Sequence, residues 1–186
     1  MRKVVFAINI TADGNSSHLE AIPDGEMLGY FTGILRTASH ILFGRVTYNL
    51  MVPYWPDVAK NQTGDAASNE FARVFESLDR IVFSTTLNRI DDKKTELLRG
   101  HVPEKLQALK KQSGGDICVG SQSIASQLSE RGLIDEYHIV IHPAIAGKGP
   151  RLFENTAMQA RLRLDFVDSK SFRSGITALH FRKTSQ

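Results

Sequence analysis

Short apolar runs rich in Val and Ile alternate along this chain with segments whose apolar residues recur every three to four positions. The runs predict β-strands at residues 2–10, 40–43, 80–83, 116–119 and 136–142. The periodic segments predict helices at residues 24–39, 45–51, 69–77, 101–112 and 121–131. Polar stretches at residues 11–23, 60–68 and 91–100 are typical of loops.

The order of these elements predicts the fold class. Strands that alternate with helices form a mainly parallel sheet with helices on both faces, so we expect a three-layer α/β sandwich. Near the end of the chain, residues 162–171 and 176–183 are separated by Arg173-Ser174-Gly175, which predicts an antiparallel hairpin. No repeat or linker is evident, so residues 1–186 are expected to form a single domain.

Composition removes several classes of protein. The single cysteine, Cys118, excludes a disulfide framework and a cysteine-rich zinc site, and its neighbours predict a buried strand residue. The chain carries a net charge of +3, and no run of five like charges occurs, so neither nucleic acid nor a membrane is an expected partner. The apolar start is too short for a signal peptide, and we expect a cytoplasmic protein.

Three of the predicted strands end in residues suited to binding an anion. Gly44 and Arg45 follow the second strand, Ser84 and Thr85 follow the third, and a Gly-Ser-Gln-Ser segment begins at Gly120. Ligands of open α/β sheets collect at the carboxyl ends of strands, where helix N-termini carry about half a positive charge. Each strand end alone is more often an ordinary turn, but three such ends in one small sheet together predict a phosphate-bearing ligand.

The familiar nucleotide-binding and hydrolase motifs are absent from the sequence. It contains no G-x-G-x-x-G, no G-x-x-x-x-G-K-[ST] and no G-x-S-x-G. A Rossmann fold, a P-loop protein and an α/β-hydrolase are therefore disfavoured.

A set of segments in a fixed order resembles the dihydrofolate reductase-like superfamily. The segments are 10–14 (ITADG), 42–48 (LFGRVTY), 82–87 (VFSTTL), 117–123 (ICVGSQS), 132–136 (GLIDE) and 142–153 (HPAIAGKGPRLF). Within that superfamily, the chain is most similar to stand-alone relatives of the reductase domain of the bifunctional riboflavin-biosynthesis deaminase/reductase. The lone cysteine excludes the zinc deaminase half of that enzyme.

The resemblance implies an NADPH-dependent reductase that acts on a small heterocyclic or sugar-derived substrate, as a 5-amino-6-(5-phosphoribosylamino)uracil reductase does. The predicted hairpin and exposed sheet edge suggest a homodimer, which relatives often form. By the family's pattern, the cofactor-binding residues are Asn9, Thr11, Gly44, Arg45, Thr47, Ser84, Thr85, Gly120, Ser121, Gln122 and Ser123. Asn9 and Thr11 would lie near the nicotinamide, Ser84 and Thr85 near the adenosine ribose and its 2′-phosphate, and the others near the remaining phosphates.

The catalytic residues are left open by the sequence. Asp13, His18 and Asp24 are candidates, but Asp24 is equally explained as a helix N-cap and His18 as a solvated loop residue. The carboxylate that true dihydrofolate reductases carry in their first helix has no equivalent at the best-matched position, Leu28. A true dihydrofolate reductase and a non-catalytic nucleotide-binding protein remain alternatives.

Two further expectations concern substrate and metal. Tyr48 and Trp55 could stack on a flat heteroaromatic substrate, or they could simply pack in the loop beneath Pro53 and Pro56. His138 and His142 lie four residues apart on a predicted strand, and without a third ligand candidate no metal site is expected.

Overall fold

A computed structural model describes residues 1–154 and 156–184. Its strands are β1 (Val4–Thr11), β2 (Ala38–Gly44), β3 (Asp79–Phe83), β4 (Thr95–Leu98), β5 (Asp116–Val119), β6 (Glu136–His142), β7 (Leu164–Ser171) and β8 (Thr177–Lys183). Its helices are α1 (Gly25–Thr37), α2 (Arg45–Met51), α3 (Trp55–Asn61), α4 (Ala66–Ser77), α5 (Val102–Lys110) and α6 (Gln122–Glu130). A short 3₁₀ turn, His18–Glu20, precedes α1.

The strands form one sheet with the order β4-β3-β2-β5-β1-β6-β8-β7. The six strands from β4 to β6 pair in parallel, and β8 and β7 add an antiparallel hairpin to that sheet. The predicted fold class, an α/β sandwich with a mostly parallel sheet and an antiparallel C-terminal hairpin, is confirmed.

Two apolar clusters cover opposite faces of the sheet. On one face, α5 and α6 contribute Leu106 and Leu128 to a cluster with Phe6 of β1. On the other face, α1 and α4 contribute Leu35 and Phe75 to a second cluster. Since each strand alternates its side chains between the two faces, both layers of helices pack on the same strands.

The structure differs from the predicted elements at several places. α4 begins at Ala66, three residues before the predicted helix and inside a stretch assigned to a loop. β4 lies inside the stretch assigned to a polar loop, because an edge strand with the sequence TELL carries too few apolar residues to be recognised. α3 occupies residues expected to interrupt a helix, since Pro56 stands in its first turn, where no backbone N–H is needed. α1 ends at Thr37 and β2 begins at Ala38, two residues before the predicted boundaries.

The interior of the sheet contains the lone cysteine. Cys118 is 3% exposed, and burial raises the pKa of its thiol to about 12, so it is a core side chain and a poor nucleophile. None of the helices among the described residues has the length and apolar character needed to cross a bilayer.

Strand lengths create a step at the carboxyl edge of the sheet. β5 stops at Val119, which pairs with Phe6, whereas β1 continues to Thr11. Beyond Phe6, β1 pairs only with β6, and this pairing continues to Thr11, which lies opposite His142. The first turn of α6 therefore starts beside the projecting ends of β1 and β6, which places that helix N-terminus at the edge of the sheet.

Candidate functional site

Gly44, Ser121 and Ser123 meet where β2 and β5 end, and we call these three residues the strand-end site. The hydroxyl oxygens of Ser121 and Ser123 lie 3.3 Å apart. A Cβ atom on Gly44 would lie 2.9 Å from Ser121 Oγ and 3.1 Å from Ser123 Oγ, so the missing side chain leaves room above the two hydroxyls. The structure thus brings together residues from two of the three predicted strand ends.

The backbone around this site is held by close packing of β2 against β5. The Gly120 N–H donates to the Leu42 carbonyl oxygen at 3.0 Å. A Cβ on Gly120 would lie 3.0 Å from the ring of Phe43, so glycine allows the two strand ends to approach each other. Gly120 therefore acts through the backbone, by setting where α6 begins.

The N-terminus of α6 opens onto the strand-end site. Ser121 is its N-cap residue, and no side chain among the described residues accepts a capping hydrogen bond there. The amides of the first turn are consequently available to an anion, and the helix dipole adds a positive potential. Two serine hydroxyls and free helix amides form a donor set suited to phosphate.

Arg45 and Thr47 are carried by α2, which starts directly after Gly44. Arg45 is exposed, and no carboxylate of the described residues forms an ion pair with it. Its guanidinium is therefore an unneutralised cation one residue from the strand-end site, with the bidentate geometry that phosphates favour. Thr47 follows Arg45 by two residues, roughly 200° around the helix axis, and is partly exposed.

Ser84 and Thr85 follow β3, whose last residue, Phe83, pairs with Gly44. The Ser84 hydroxyl accepts the backbone N–H groups of Thr86 at 3.2 Å and Leu87 at 3.0 Å, so it stabilises its own turn. Thr85 is exposed. Of the two residues, Thr85 has the side chain that faces solvent.

Arg99 is a cation at this edge that sequence reasoning missed. Its guanidinium donates to the carbonyl oxygens of Thr85 at 3.2 Å and Leu87 at 2.7 Å. The contacts place a positive charge beside the Ser84–Leu87 turn. Arg99 directly follows β4, so recognising that strand would have supplied the missing signal.

The side chain of Gln122 links two loops above α6. Its Nε2 donates to the Arg151 carbonyl oxygen at 2.5 Å, and its Oε1 accepts the Ser16 hydroxyl. The Ser16 N–H also donates to the Pro150 carbonyl oxygen at 2.8 Å. Gln122 thus positions the loop after β1 and the loop after β6. Because its side chain is occupied by these contacts, only its backbone amide remains for the predicted contact with phosphate.

Asp13 anchors the same pair of loops. It accepts the N–H groups of Gly147 at 2.9 Å and Ala146 at 3.2 Å, and the Thr11 hydroxyl bonds to it. The bond from Thr11, followed by those from Gly147 and Ala146, lowers the pKa of Asp13 to about 2. A carboxylate held in the ionised form is a structural anchor and a poor proton donor.

The ends of β1 and β6 bring Asn9 beside a histidine that sequence reasoning considered only as a metal ligand. His142 is 1% exposed; its Nε2 lies 3.3 Å from Asn9 Oδ1, and its Nδ1 lies 3.3 Å from the Ile22 backbone nitrogen. The Ile22 N–H can only donate, so the proton of the neutral ring is on Nε2. Burial lowers the pKa of His142, which keeps the ring neutral.

The two other catalytic candidates lie in different settings. Asp24 is the N-cap of α1 and accepts the Met27 N–H at 2.7 Å. Hydrogen bonds from Ser174 and from Met27 lower the pKa of Asp24. His18 is exposed in the 3₁₀ turn. The contacts of Asp24 are those of a helix cap, and a catalytic role for either residue stays a prediction.

The aromatic candidates for the substrate wall pack near the helices. Trp55 lies 4.5 Å from Phe71 of α4, measured between ring centroids, and Tyr54 lies edge-on to it at 4.9 Å. Tyr48 and Trp55 both border the apolar cluster beneath α1 and α4. These contacts suffice to explain Tyr48 and Trp55 as packing residues, and the role of these two residues in substrate binding stays a prediction.

Comparison with known protein sequences identifies two matches that cover nearly the whole chain. The sequence model of the RibD C-terminal domain family matches residues 2–178. YyaP, an uncharacterized protein of Bacillus subtilis (strain 168), is 30% identical over 184 residues, which is 96% of this chain and 93% of that protein.

Solved structures show the same fold at low sequence identity. A Shewanella sp. PV-4 protein assigned by name to riboflavin biosynthesis superposes with a TM-score of 0.74 at 17% identity, and each chain is covered completely. The Thermotoga maritima diaminohydroxyphosphoribosylaminopyrimidine deaminase/5-amino-6-(5-phosphoribosylamino)uracil reductase superposes with a TM-score of 0.69 at 17% identity. That match covers 98% of this chain and 57% of the bifunctional protein.

Proposed function

The chain belongs to the RibD C-terminal domain family, a family of reductase-like domains, and we propose that it is an NADPH-dependent reductase. Its substrate would be a small heterocyclic or sugar-derived compound with a C=N or C=O bond, of the class that 5-amino-6-(5-phosphoribosylamino)uracil represents. Reductases of this family use a nicotinamide cofactor. The proposal adds the phosphorylated form of that cofactor and the class of substrate.

The strand-end site is the observation that carries the proposal. A phosphate group needs several convergent donors and space close to the backbone. Gly44 leaves that space, Ser121 and Ser123 supply hydroxyls, and the first turn of α6 supplies free amides. The residues present therefore fit the pyrophosphate of a dinucleotide.

Each end of the cofactor has its own group of side chains in this proposal. Arg45 and Thr47 lie beside the pyrophosphate, while Thr85 and Arg99 lie at the adenosine end, where a 2′-phosphate would need a cation. Preference for NADPH over NADH is thus assigned to Arg99, which no carboxylate of the described residues neutralises, whereas Arg45 would serve the pyrophosphate that both cofactors carry.

The nicotinamide end is assigned to the projecting ends of β1 and β6. When bound, NADPH would supply a hydride to the substrate. His142 holds the Oδ1 of Asn9, which leaves the amide NH₂ of Asn9 free to orient a carboxamide. Asp13 and Gln122 hold the adjoining loops in place, and those loops exclude water from one side of the site.

The proton that completes the reduction is assigned to solvent. Asp13 is ionised because its pKa is about 2. Asp24 is engaged as a helix cap, and Glu26 accepts the Arg173 N–H at 2.9 Å. Neither of these two acidic side chains at the start of α1 is thereby free to protonate a pterin, which disfavours a true dihydrofolate reductase.

The proposal is tested first by binding. NADPH and NADH are titrated separately into the protein and into the Arg45→Ala variant, and binding is followed by nicotinamide fluorescence. We expect the protein to bind NADPH at least about tenfold more tightly than NADH, since one charge-assisted hydrogen bond contributes on the order of 1.5–3 kcal/mol. Equal affinity for the two cofactors, or unchanged NADPH binding by the variant, would contradict the cofactor assignment.

The substrate class is tested by turnover. NADPH oxidation is measured with a panel of pyrimidine ribosides, pterins and quinones. Turnover with a pyrimidine riboside supports the proposal. Turnover with dihydrofolate that antifolates inhibit would identify a true dihydrofolate reductase instead, and NADPH binding without turnover on any member would favour a non-catalytic nucleotide-binding protein.

A further inference from the structure

Two histidines and a glutamate converge at the amino end of β6, away from the strand-end site. Glu136 and His138 project from the same face of β6, because they are two residues apart. His180 of β8 is the cross-strand partner of His138, and Asp168 of β7 is the next partner in that row. We call Glu136, His138 and His180 the amino-edge cluster.

The donor atoms of the amino-edge cluster are close together. One ligand atom from each residue can be chosen so that all three lie within 4.8 Å of one another. The rings of His138 and His180 are stacked, with centroids 4.1 Å apart and planes inclined by 12°. Glu136 Oε2 lies 3.6 Å from His180 Nε2.

One nitrogen of this cluster has no hydrogen-bond partner. His180 Nε2 is buried, and no donor or acceptor among the described residues satisfies it. The other ring nitrogen, Nδ1, lies 3.5 Å from Asp168 Oδ2, and a carboxylate there favours a proton on Nδ1. In that tautomer Nε2 carries a lone pair and lies 3.6 Å from a carboxylate oxygen, an arrangement that a positive ion between them would stabilise.

The second histidine shows the outer contact that is typical of a metal ligand. His138 is 8% exposed, and its Nδ1 lies 2.6 Å from the Tyr30 hydroxyl oxygen. Metal-bound imidazoles commonly donate their other N–H to an oxygen, which fixes the tautomer and the orientation of the ring. If Nδ1 donates to Tyr30, the lone pair of His138 is on Nε2.

We propose that the amino-edge cluster binds a zinc ion through His138 Nε2, His180 Nε2 and Glu136 Oε2. Two imidazoles and one carboxylate are a ligand set typical of zinc, whereas magnesium and calcium prefer oxygen ligands alone. The other oxygen of Glu136, Oε1, accepts Lys3 Nζ at 2.9 Å, which leaves Oε2 as the ligand atom.

Binding needs a small movement of side chains. Zinc–nitrogen bonds are about 2.0–2.1 Å long, so tetrahedral ligand atoms lie roughly 3.3 Å apart. Since the donor atoms lie within 4.8 Å of one another, the widest pair would close by up to about 1.5 Å. Rotation about the Cβ–Cγ bonds would turn the stacked rings so that both lone pairs point to one ion.

The fourth ligand position would be open. A groove of about 350 Å³ runs between α1 and the amino ends of the strands, and Tyr30, Glu136 and His138 contribute to its wall. Water or a small oxygen anion could complete the coordination from this groove. Three protein ligands with one open position is the arrangement of zinc sites that bind an exchangeable ligand.

The test uses the full chain without an affinity tag, treated with EDTA and dialysed. Zn²⁺ is titrated by calorimetry, and Co²⁺ is titrated by visible absorbance. We expect one Zn²⁺ per chain with a dissociation constant of about 1 μM or tighter, and cobalt bands of the intensity typical of four-coordinate sites. Failure of the unaltered protein to bind stoichiometric Zn²⁺ would overturn the proposal, and this measurement needs no variant to fold.

Variants assign the ligands. His138→Gln and His180→Gln should each weaken zinc binding by about 100-fold or more, and Tyr30→Phe by about tenfold through the outer contact. His101→Gln, which removes an exposed histidine elsewhere, should bind as the unaltered protein does. Unchanged binding by folded His138→Gln and His180→Gln proteins would overturn the assignment. So would an NMR spectrum in which His180 stays doubly protonated in the presence of zinc, because a proton would then be the occupant.

Discussion

Gly44 lies directly above the Ser121 hydroxyl, so that a Cβ atom at residue 44 would be 2.9 Å from Ser121 Oγ. The φ angle of Gly44 is −85°, a value that alanine adopts without strain. The effect of Gly44→Ala is therefore steric and local. The Ser121 side chain can rotate away at little cost to the fold, but the space and the hydroxyl offered to phosphate are lost. We expect NADPH affinity to fall about tenfold or more.

A matched variant separates the site from general effects of adding a methyl group. Gly33→Ala adds the same group within α1, where the new Cβ meets no heavy atom within 4 Å outside the neighbouring helix backbone. It should leave NADPH binding unchanged and stabilise the protein by about 0.5–1 kcal/mol, because alanine favours helices. Fluorescence titration and urea denaturation of both variants are the measurements. Equal NADPH affinity in the two variants would remove Gly44 from the phosphate site.

Arg99 provides a test of the adenosine end. Its guanidinium contacts the carbonyl oxygens of Thr85 and Leu87. Arg99→Gln should weaken NADPH binding by about tenfold while NADH binding changes little, because NADH carries no 2′-phosphate. Arg89→Gln, in the loop between β3 and β4 and paired with Asp91 at 2.7 Å, is the control. An equal loss for both cofactors would indicate that Arg99 only stabilises the turn.

The strand-end site could be predicted because its signals are local. Gly44 and Gly120 each follow an apolar run directly, and the rule that ligands collect at carboxyl ends of parallel strands then brings them together. Arg99 was missed because an edge strand of sequence TELL is not recognisable as a strand.

The amino-edge cluster shows what sequence spacing cannot supply. The sequence pairs His138 with His142, four residues along the same strand, and offers no third ligand. In the structure, His138 instead meets His180 because β8 pairs antiparallel with β6 in one particular register. That register depends on packing of the whole hairpin, so the pattern of residues in either strand alone does not reveal it.

Acid sensitivity should reveal the anchoring role of Asp13. The pKa of this carboxyl is lowered from 3.8 to about 2 in the folded protein, so folding favours its ionised form. The stabilising contribution is present above pH ~4 and is lost as the pH falls toward about 2. Asp13→Asn should be less stable at pH 7, and its deficit should shrink from about pH 5 downwards. Urea denaturation across that range measures this difference, with Glu20→Gln, an exposed carboxylate elsewhere, as control. A deficit independent of pH would contradict the assignment.

Phe166 is expected to mediate association of two copies of the chain. It lies on β7, the strand at one edge of the sheet, and is 62% exposed, while Leu164 on the same strand is 38% exposed. A long edge strand with exposed apolar side chains tends to pair or be covered. We therefore expect a homodimer through β7. The Phe166→Lys variant should sediment as a monomer in analytical ultracentrifugation. Leu19→Lys changes a side chain that is 78% exposed outside the sheet and should leave the dimer intact. An unaltered protein that remains monomeric at high concentration would refute this expectation.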